Sequence, residues 1–431
     1  MEENKVIARP NKDFFINMLT KDITLNKAIF DLIDNSIDAA IKKDNVLKEK
    51  VIKIDVNKDY FKIYDNCGGI DKEIAINYAF NFGRPKEYSI ESGEYIGRFG
   101  VGMKRCIFKL GNKFIVKTND GKSRYVIEED IAKWKDKKEW EFTLKDFNND
   151  NLKPGETVIE VHGLYENIVT EFSTKDSLDK LKREISLYFS MFIMAGLQIE
   201  LNNKKIEAKD FNIIYKEGVL EPKQTTLNFE GVKCTVLSAL AKEPEGANDS
   251  PNEAGWYIYS NRRLIVAANK DSMTGWGEEG IHPFHNNYAM FRGFVFFESK
   301  DIEKIPLNTT KDGVDEENKI YMLVKEEMKK HMEEQFKFLK KINQTANLKI
   351  KGKVRSFEST VLLSRLDKVS YKEKSMINYS DIFPKKTSSE ITISFKVQRE
   401  NFEKVKSELG VTTKEDVGKK VFEYYIDMNE L

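Results

Sequence analysis

The 431-residue sequence has only three cysteines, Cys67, Cys106 and Cys234, too few and too scattered for a disulfide framework or a Cys-x-x-Cys metal site. That scarcity suits a reducing compartment. The polar opening Met-Glu-Glu-Asn-Lys also lacks the apolar stretch of a signal peptide, so a cytoplasmic location is expected. Net charge is nearly absent: 71 Lys and Arg against 70 Asp and Glu leave +1. This excludes a disordered polyelectrolyte and a globally basic nucleic-acid binder, so any such binding must come from a local patch. The most apolar window, 185–197, is well short of the roughly 20 residues of a membrane span and reads as a buried helix; no membrane partner is expected. No internal repeat or low-complexity tract is evident. His282-x-x-His285 has no cysteine or third histidine nearby in sequence, which argues against zinc.

The chain does have length enough for two or three domains with sizeable cores. Ala28, Leu32, Ile33, Ile37 and Ala40 recur at helical spacing over 24–43, and Thr24 can cap the start. Strands are expected at 51–56, 60–64, 113–118, 124–128, 141–144 and 157–161, with a glycine-punctuated region over 68–111. Helix plus mixed strands points to an α+β fold, a two-layer α/β sandwich, over 1–170. A helix at 177–196 leads into a second α/β region, 171–345, with strands at 198–201, 232–239, 255–259 and 291–297 and a closing helix at 315–342. In that region Phe291, Phe294, Phe296 and Phe297 read as core. A Lys-rich connector, 346–387, precedes a strand-helix-helix module, 388–431, in which Ile391, Ile393, Phe395 and Val397 alternate with Thr392, Ser394 and Lys396.

Three motifs carry chemistry. On the first helix Asp31, Asn35 and Asp38 fall at i, i+4 and i+7; a carboxylate and an amide one turn apart supply hard oxygens for a water and a hydrated Mg²⁺. Alone, this is equally a solvated face. In Tyr64-Asp65-Asn66-Cys67-Gly68-Gly69, directly after a strand, Asp65 can accept from an exocyclic amine while glycine lets backbone approach a flat ring; a tight turn is the plain alternative. In Gly97-Arg98-Phe99-Gly100-Val101-Gly102-Met103-Lys104-Arg105, glycines ahead of a helix expose N–H groups to phosphate. A P-loop fails here because Met103, not Lys, follows Gly102, and the dinucleotide fingerprint fails because Arg105 stands at its third glycine. A phosphate loop of another kind or a plain glycine-rich turn remains.

The order and spacing of these three, with Thr157 in Gly155-Glu156-Thr157-Val158-Ile159-Glu160-Val161, resemble the Bergerat-type ATP-binding domain shared by DNA gyrase, the large heat-shock chaperones, histidine kinases and MutL, the GHKL superfamily. The stretch 80–86 and the loop 97–104 look most like MORC ATPases and their bacterial relatives. The resemblance covers about residues 10–165. It implies Asn35 as Mg²⁺ ligand, Asp65 for the adenine amino group, Gly69 beneath the base and Thr157 supporting Asp65. It further implies that Gly100, Val101, Gly102, Met103 and Lys104 hold the phosphates, that Asp31 activates water where the family usually has Glu, and that 79–102 forms a lid. Gly255-Trp256-Tyr257-Ile258-Tyr259-Ser260-Asn261-Arg262-Arg263-Leu264-Ile265 resembles a transducer-type domain of MORC and MutL proteins, and Ile305–Asp312 the loop whose lysine reaches the γ-phosphate, nominating Lys311.

The implied function is an ATP- and Mg²⁺-dependent conformational switch with slow turnover, a homodimer when ATP is bound, acting on DNA or a DNA-associated partner, phage defence included. A chaperone-like ATPase acting on protein clients and an ATP-sensing interaction module with little turnover are the alternatives. A histidine kinase is disfavoured, since none of the four histidines lies on a dimerisation helix ahead of the ATP domain. The C-terminal module resembles a ribbon-helix-helix unit, in which Thr392, Ser394 and Lys396 would face a DNA groove; dimerisation, DNA reading and a docked appendage all remain open.

Overall fold

The computed structural model describes residues 11–81, 102–147, 151–241, 250–308, 313–344, 354, 357, 359–365, 376–383 and 393–428. They fall into two compact units, Met1–Ile382 and Phe383–Leu431. Within the first unit an eight-stranded sheet is covered by helices α1 (Lys12–Lys21), α2 (Leu25–Lys43), α3 (Gly102–Leu110) and α4 (Lys175–Tyr188). Its strands are β1 (Val51–Val56), β2 (Tyr60–Asp65), β3 (Gly111–Asn119), β4 (Arg124–Asp130), β5 (Leu144–Asp146), β6 (Glu156–Leu164), β7 (Gln198–Leu201) and β8 (Lys204–Lys205), in the order β5-β4-β3-β6-β2-β1-β7-β8. All neighbours are antiparallel except β1 and β7.

Helix α2 forms where the apolar period and cap agree. The Thr24 hydroxyl accepts from the Lys27 amide at 3.4 Å and its carbonyl from the Ala28 amide at 3.0 Å, while Lys42 and Lys43 offset the dipole in the last turn. Ala28, Ile29, Leu32, Ile33, Ile37 and Ala40 are buried in the sheet-facing core, and α3 packs alongside. One face of α2 is thereby fixed, and its polar positions are carried to defined places.

Two features of the first sheet depart from the sequence expectation. At 141–144 only Leu144 enters a strand, because Trp140 and Phe142 turn inward to Trp134 at ring-centroid distances of 5.6 and 5.1 Å. The neighbouring carbonyls serve side chains instead of a ladder: Glu141 accepts from Trp134 Nε1 at 3.1 Å, and Lys12 Nζ donates to the carbonyls of Trp134, Lys137 and Glu139 at 2.7, 2.7 and 2.6 Å. Strand Gln198–Leu201, expected in the second region, joins the first sheet as β7, and Leu181, Ile185, Phe189 and Ile199 share the core of α2.

The second sheet contains β9 (Lys223–Phe229), β10 (Val232–Leu240), β11 (Gly255–Ser260), β12 (Arg263–Asn269) and β13 (Phe291–Glu298), in the order β9-β10-β13-β11-β12. Strand β13 is buried on both faces. Phe294 and Phe296 stack on Tyr257 and Tyr259 at 5.5 and 4.9 Å, whereas Phe291 and Phe297 face Phe336 and Tyr321 of helix α5 (Lys319–Gln344). The expected connector also contributes structure: Ser359–Val361 pairs with Asn212–Ile214 and Met376–Ile377 with Leu220–Glu221.

The C-terminal unit contains α6 (Arg399–Leu409) and α7 (Lys414–Met428), with Gly410 at φ 62° as the left-handed cap between them. Residues 393–398 form no strand, a correction to the expected 391–397 element, since no ladder partner is present among the described residues; Ile393, Phe395 and Val397 are exposed, and Thr392 lies outside the described residues. Among the described residues no helix is long and apolar enough to cross a membrane.

Candidate functional site

The site gathers at α2, the end of β2 and the start of α3. Asp65 is the last residue of β2 and is largely buried; Ser36 Oγ donates to its Oδ2 at 2.8 Å and the Cys67 amide to its Oδ1 at 2.9 Å. Burial pushes this carboxyl up to about 6; the Cys67 amide and Ser36 hydroxyl pull the other way and Glu156 adds to the rise. The carboxylate is therefore fixed in orientation, short of solvent, and able to accept further hydrogen bonds. Ser36 is a site residue that the sequence did not single out.

The turn after Asp65 is dictated sterically. Gly69 has φ +75°, and a Cβ there would lie 2.5 Å from the Asn119 carbonyl oxygen, so only glycine fits. Cys67 is fully buried in the core, and the Gly68 amide donates to the Gly155 carbonyl at 2.9 Å. The side chain at 67 thus points away from the surface of the turn.

Thr157 is the ladder partner of Asp65 across β2 and β6, yet its hydroxyl lies 3.0 Å from Thr118 on β3. Thr118 in turn accepts from the Ile70 amide at 2.9 Å and bonds the Glu156 carbonyl at 3.3 Å. The direct hydroxyl donor to Asp65 is Ser36, while the Thr157–Thr118 pair braces the Gly69–Ile70 turn. Strand order makes both partners available: β6 lies between β2 and β3, with Thr157 opposite Asp65 on one side and Thr118 on the other, and its hydroxyl meets the latter.

At the other end Gly102 opens α3, and a Cβ on it would lie 3.0 Å from both Cβ and Cγ of Asp31. The start of α3 and the Asp31 carboxylate are therefore in direct contact. Arg105 Nη2 and Nε both donate to Asp31 Oδ2, at 2.6 and 3.1 Å, so Oδ1 has no hydrogen bond to a described residue. Asn35, a turn further along α2, is exposed. Lys104 is buried and donates to the Ala79 carbonyl at 2.7 Å, and burial lowers its pKa to about 7. Met103 is buried as well. Gly100, Val101, most of the expected lid and Lys311 lie outside the described residues.

The structure thus places Asp31 of α2 against Gly102 at the start of α3, and Asp65 at the end of β2 against Ser36 of α2 and beside Thr157 of β6. A recessed acceptor at one end suits a ligand's hydrogen-bond donor, and a helix N-terminus at the other suits an anionic group. Residues 23–156 match the family described as Histidine kinase-, DNA gyrase B-, and HSP90-like ATPase. That segment spans α2 through the first residue of β6 and includes every described element just named except Thr157. No curated protein matches the chain.

Proposed function

We propose that this protein is a Mg²⁺-dependent ATP-binding and hydrolysing conformational switch. The observation that supports it most is the Asp65 carboxylate, held by Ser36 and the Cys67 amide beside a turn that admits only glycine, within a segment similar to a known ATPase family. Asp65 would accept from the adenine amine, and Gly69 would lie under the ring. The amides of 100–103 with Lys104 would hold the phosphates. Asn35 fits a Mg²⁺ role because its side chain is exposed on α2 and a nucleotide-bound Mg²⁺ takes few protein ligands; the ion would neutralise phosphate charge. Asp31, through the oxygen that Arg105 leaves open, would take the proton of the attacking water, and Lys311 would offset charge on the phosphoryl oxygens.

The finer reading is a cytoplasmic switch of the MORC type. Two copies would pair on ATP and act on DNA or a DNA-associated partner, as in phage defence. Exposed Ile393, Phe395 and Val397 support pairing, and exposed Ser394 and Lys396 support contact with a nucleic acid. A second reading, an ATP sensor with little turnover, is favoured by the 2.6 Å Arg105–Asp31 contact, which occupies the would-be base.

The test measures phosphate release and molecular mass with ATP and with a non-hydrolysable analogue, with and without duplex DNA, for the wild type and Asp31→Ala. The switch predicts pairing on both nucleotides and DNA-stimulated release that Asp31→Ala abolishes. Absence of nucleotide binding overturns it, and pairing without release moves the protein to the sensor class.

A further inference from the structure

Two aspartates on α2 meet arginines that arrive from different elements. Asp31 is held by Arg105 of α3, and Asp34, almost one turn on, is held by Arg263 of β12, 229 residues away in sequence, with Nε to Oδ1 at 2.7 Å. The second pair is almost wholly excluded from solvent, the two side chains being 7% and 5% exposed. The Arg263 guanidinium sits 4.1 Å from the ring centre of Phe189 and 5.3 Å from those of Phe30 and Tyr188, and its Nη1 donates to the Leu264 carbonyl at 2.7 Å. Phe30 is on α2 and Tyr188 ends α4, so an arginine of the second sheet is inserted between two helices of the first layer.

The element that delivers it cannot slide. Asn261 and Arg262, at φ 44° and 69°, form a two-residue turn closing the Ser260–Arg263 pair. Asn261 donates to the Ser299 carbonyl and accepts from the Ser299 amide, both at 3.0 Å, tying the turn to the segment after β13. Arg263, Asp34, Arg105 and Asp31 line one cleft with Phe30 and Tyr188. A buried ion pair contributes little stability that apolar residues of similar volume would not, whereas a planar guanidinium with a fixed partner specifies direction.

We infer that Arg263 is a positioning residue: through Asp34 it sets the place of α2, and so of Asp31 and Asn35, and it carries the nucleotide state of that helix into the second sheet. The inference rests on the ATPase reading above. Arg263→Met alone strands a buried carboxylate, so the deciding variant is Asp34→Leu/Arg263→Met, which removes both charges. In the full chain, the double variant is expected to melt within a few degrees of the wild type and to bind nucleotide with unchanged affinity. Its kcat should fall by about tenfold or more while KM stays within about threefold. Arg263→Lys, which keeps the charge but not the planar stack, should recover part of that loss.

Hydrogen exchange supplies a readout apart from turnover: nucleotide should raise protection of the 260–263 turn in the wild type and not in the double variant. A double variant with wild-type kcat and wild-type protection overturns the inference while leaving the ATPase reading intact. So does Arg263→Lys matching the wild type in both readouts if the double variant fails to fold. A wild type that binds no nucleotide defeats the ATPase reading and takes this inference with it.

Discussion

The two ends of the candidate site are built differently. At the Asp65 end every group is held within the fold: the carboxylate by Ser36 of α2 and the Cys67 amide, the turn by Gly69 against Asn119, and the strands beneath by Thr118 and Thr157. At the Gly102 end the charged groups are engaged with other protein groups, Asp31 with Arg105 and Lys104 with the Ala79 carbonyl. On the proposed reading, one end would be preorganised to receive a ligand, and the other would exchange protein contacts for ligand contacts. Such an arrangement would separate recognition from reaction, as the proposed switch requires.

The largest expected effect breaks the reactive end alone. Asp31→Asn, which keeps the Arg105 contact in shape but removes the base, should lower kcat by about 100- to 10,000-fold, with nucleotide affinity within a few-fold of the wild type by calorimetry. Equal losses in both would mean that the ends are not separable.

Asp65→Asn probes the recognition end and should weaken adenine-nucleotide binding by about 10- to 100-fold, since an ionised acceptor is lost. The same substitution should stabilise the free protein. With a folded pKa of about 6 against an ordinary 3.8, the native chain retains between about pH 4 and 6 a proton that the unfolded chain has released. The cost of burying the charge is thus absent below that window and reaches about 3 kcal/mol above it. Thermal unfolding at pH 7 should favour Asp65→Asn, and the advantage should vanish near pH 4. For the wild type, affinity should fall by up to about tenfold per pH unit below about 6, because protonation removes the charge that strengthens the bond and turns one acceptor oxygen into a donor. Affinity flat to pH 4.5 would remove Asp65 from the contact.

The smallest effect sharpens the picture. Ser36→Ala leaves Asp65 with the Cys67 amide alone and should weaken binding by about three- to tenfold. An unchanged affinity would show that the amide suffices to aim the carboxylate.

Much of this was legible in the sequence because it is local. The cap and period of α2, the strand before Asp65, the glycine at 69 and the two C-terminal helices around Gly410 all follow from residues within a turn or two. What was not legible depends on pairings set by topology: Ser36 with Asp65 across 29 residues, Arg105 with Asp31 across 74 and Arg263 with Asp34 across 229. Thr157 shows the same limit, since the Thr118 hydroxyl that it meets is brought beside it only by β6 pairing with β3. Alternation at 391–397 suggested a strand, yet a pattern specifies a face and not a partner.

The most direct test of the central claim is calorimetric titration of the full chain at pH 7.5 with ATP and with GTP, both with Mg²⁺. In the proposed mode Asp65 would accept from an exocyclic amine at a position where guanine carries a carbonyl, so ATP should bind and GTP should bind at least about tenfold more weakly. No heat with ATP, or equal affinity for the two nucleotides, would contradict the account.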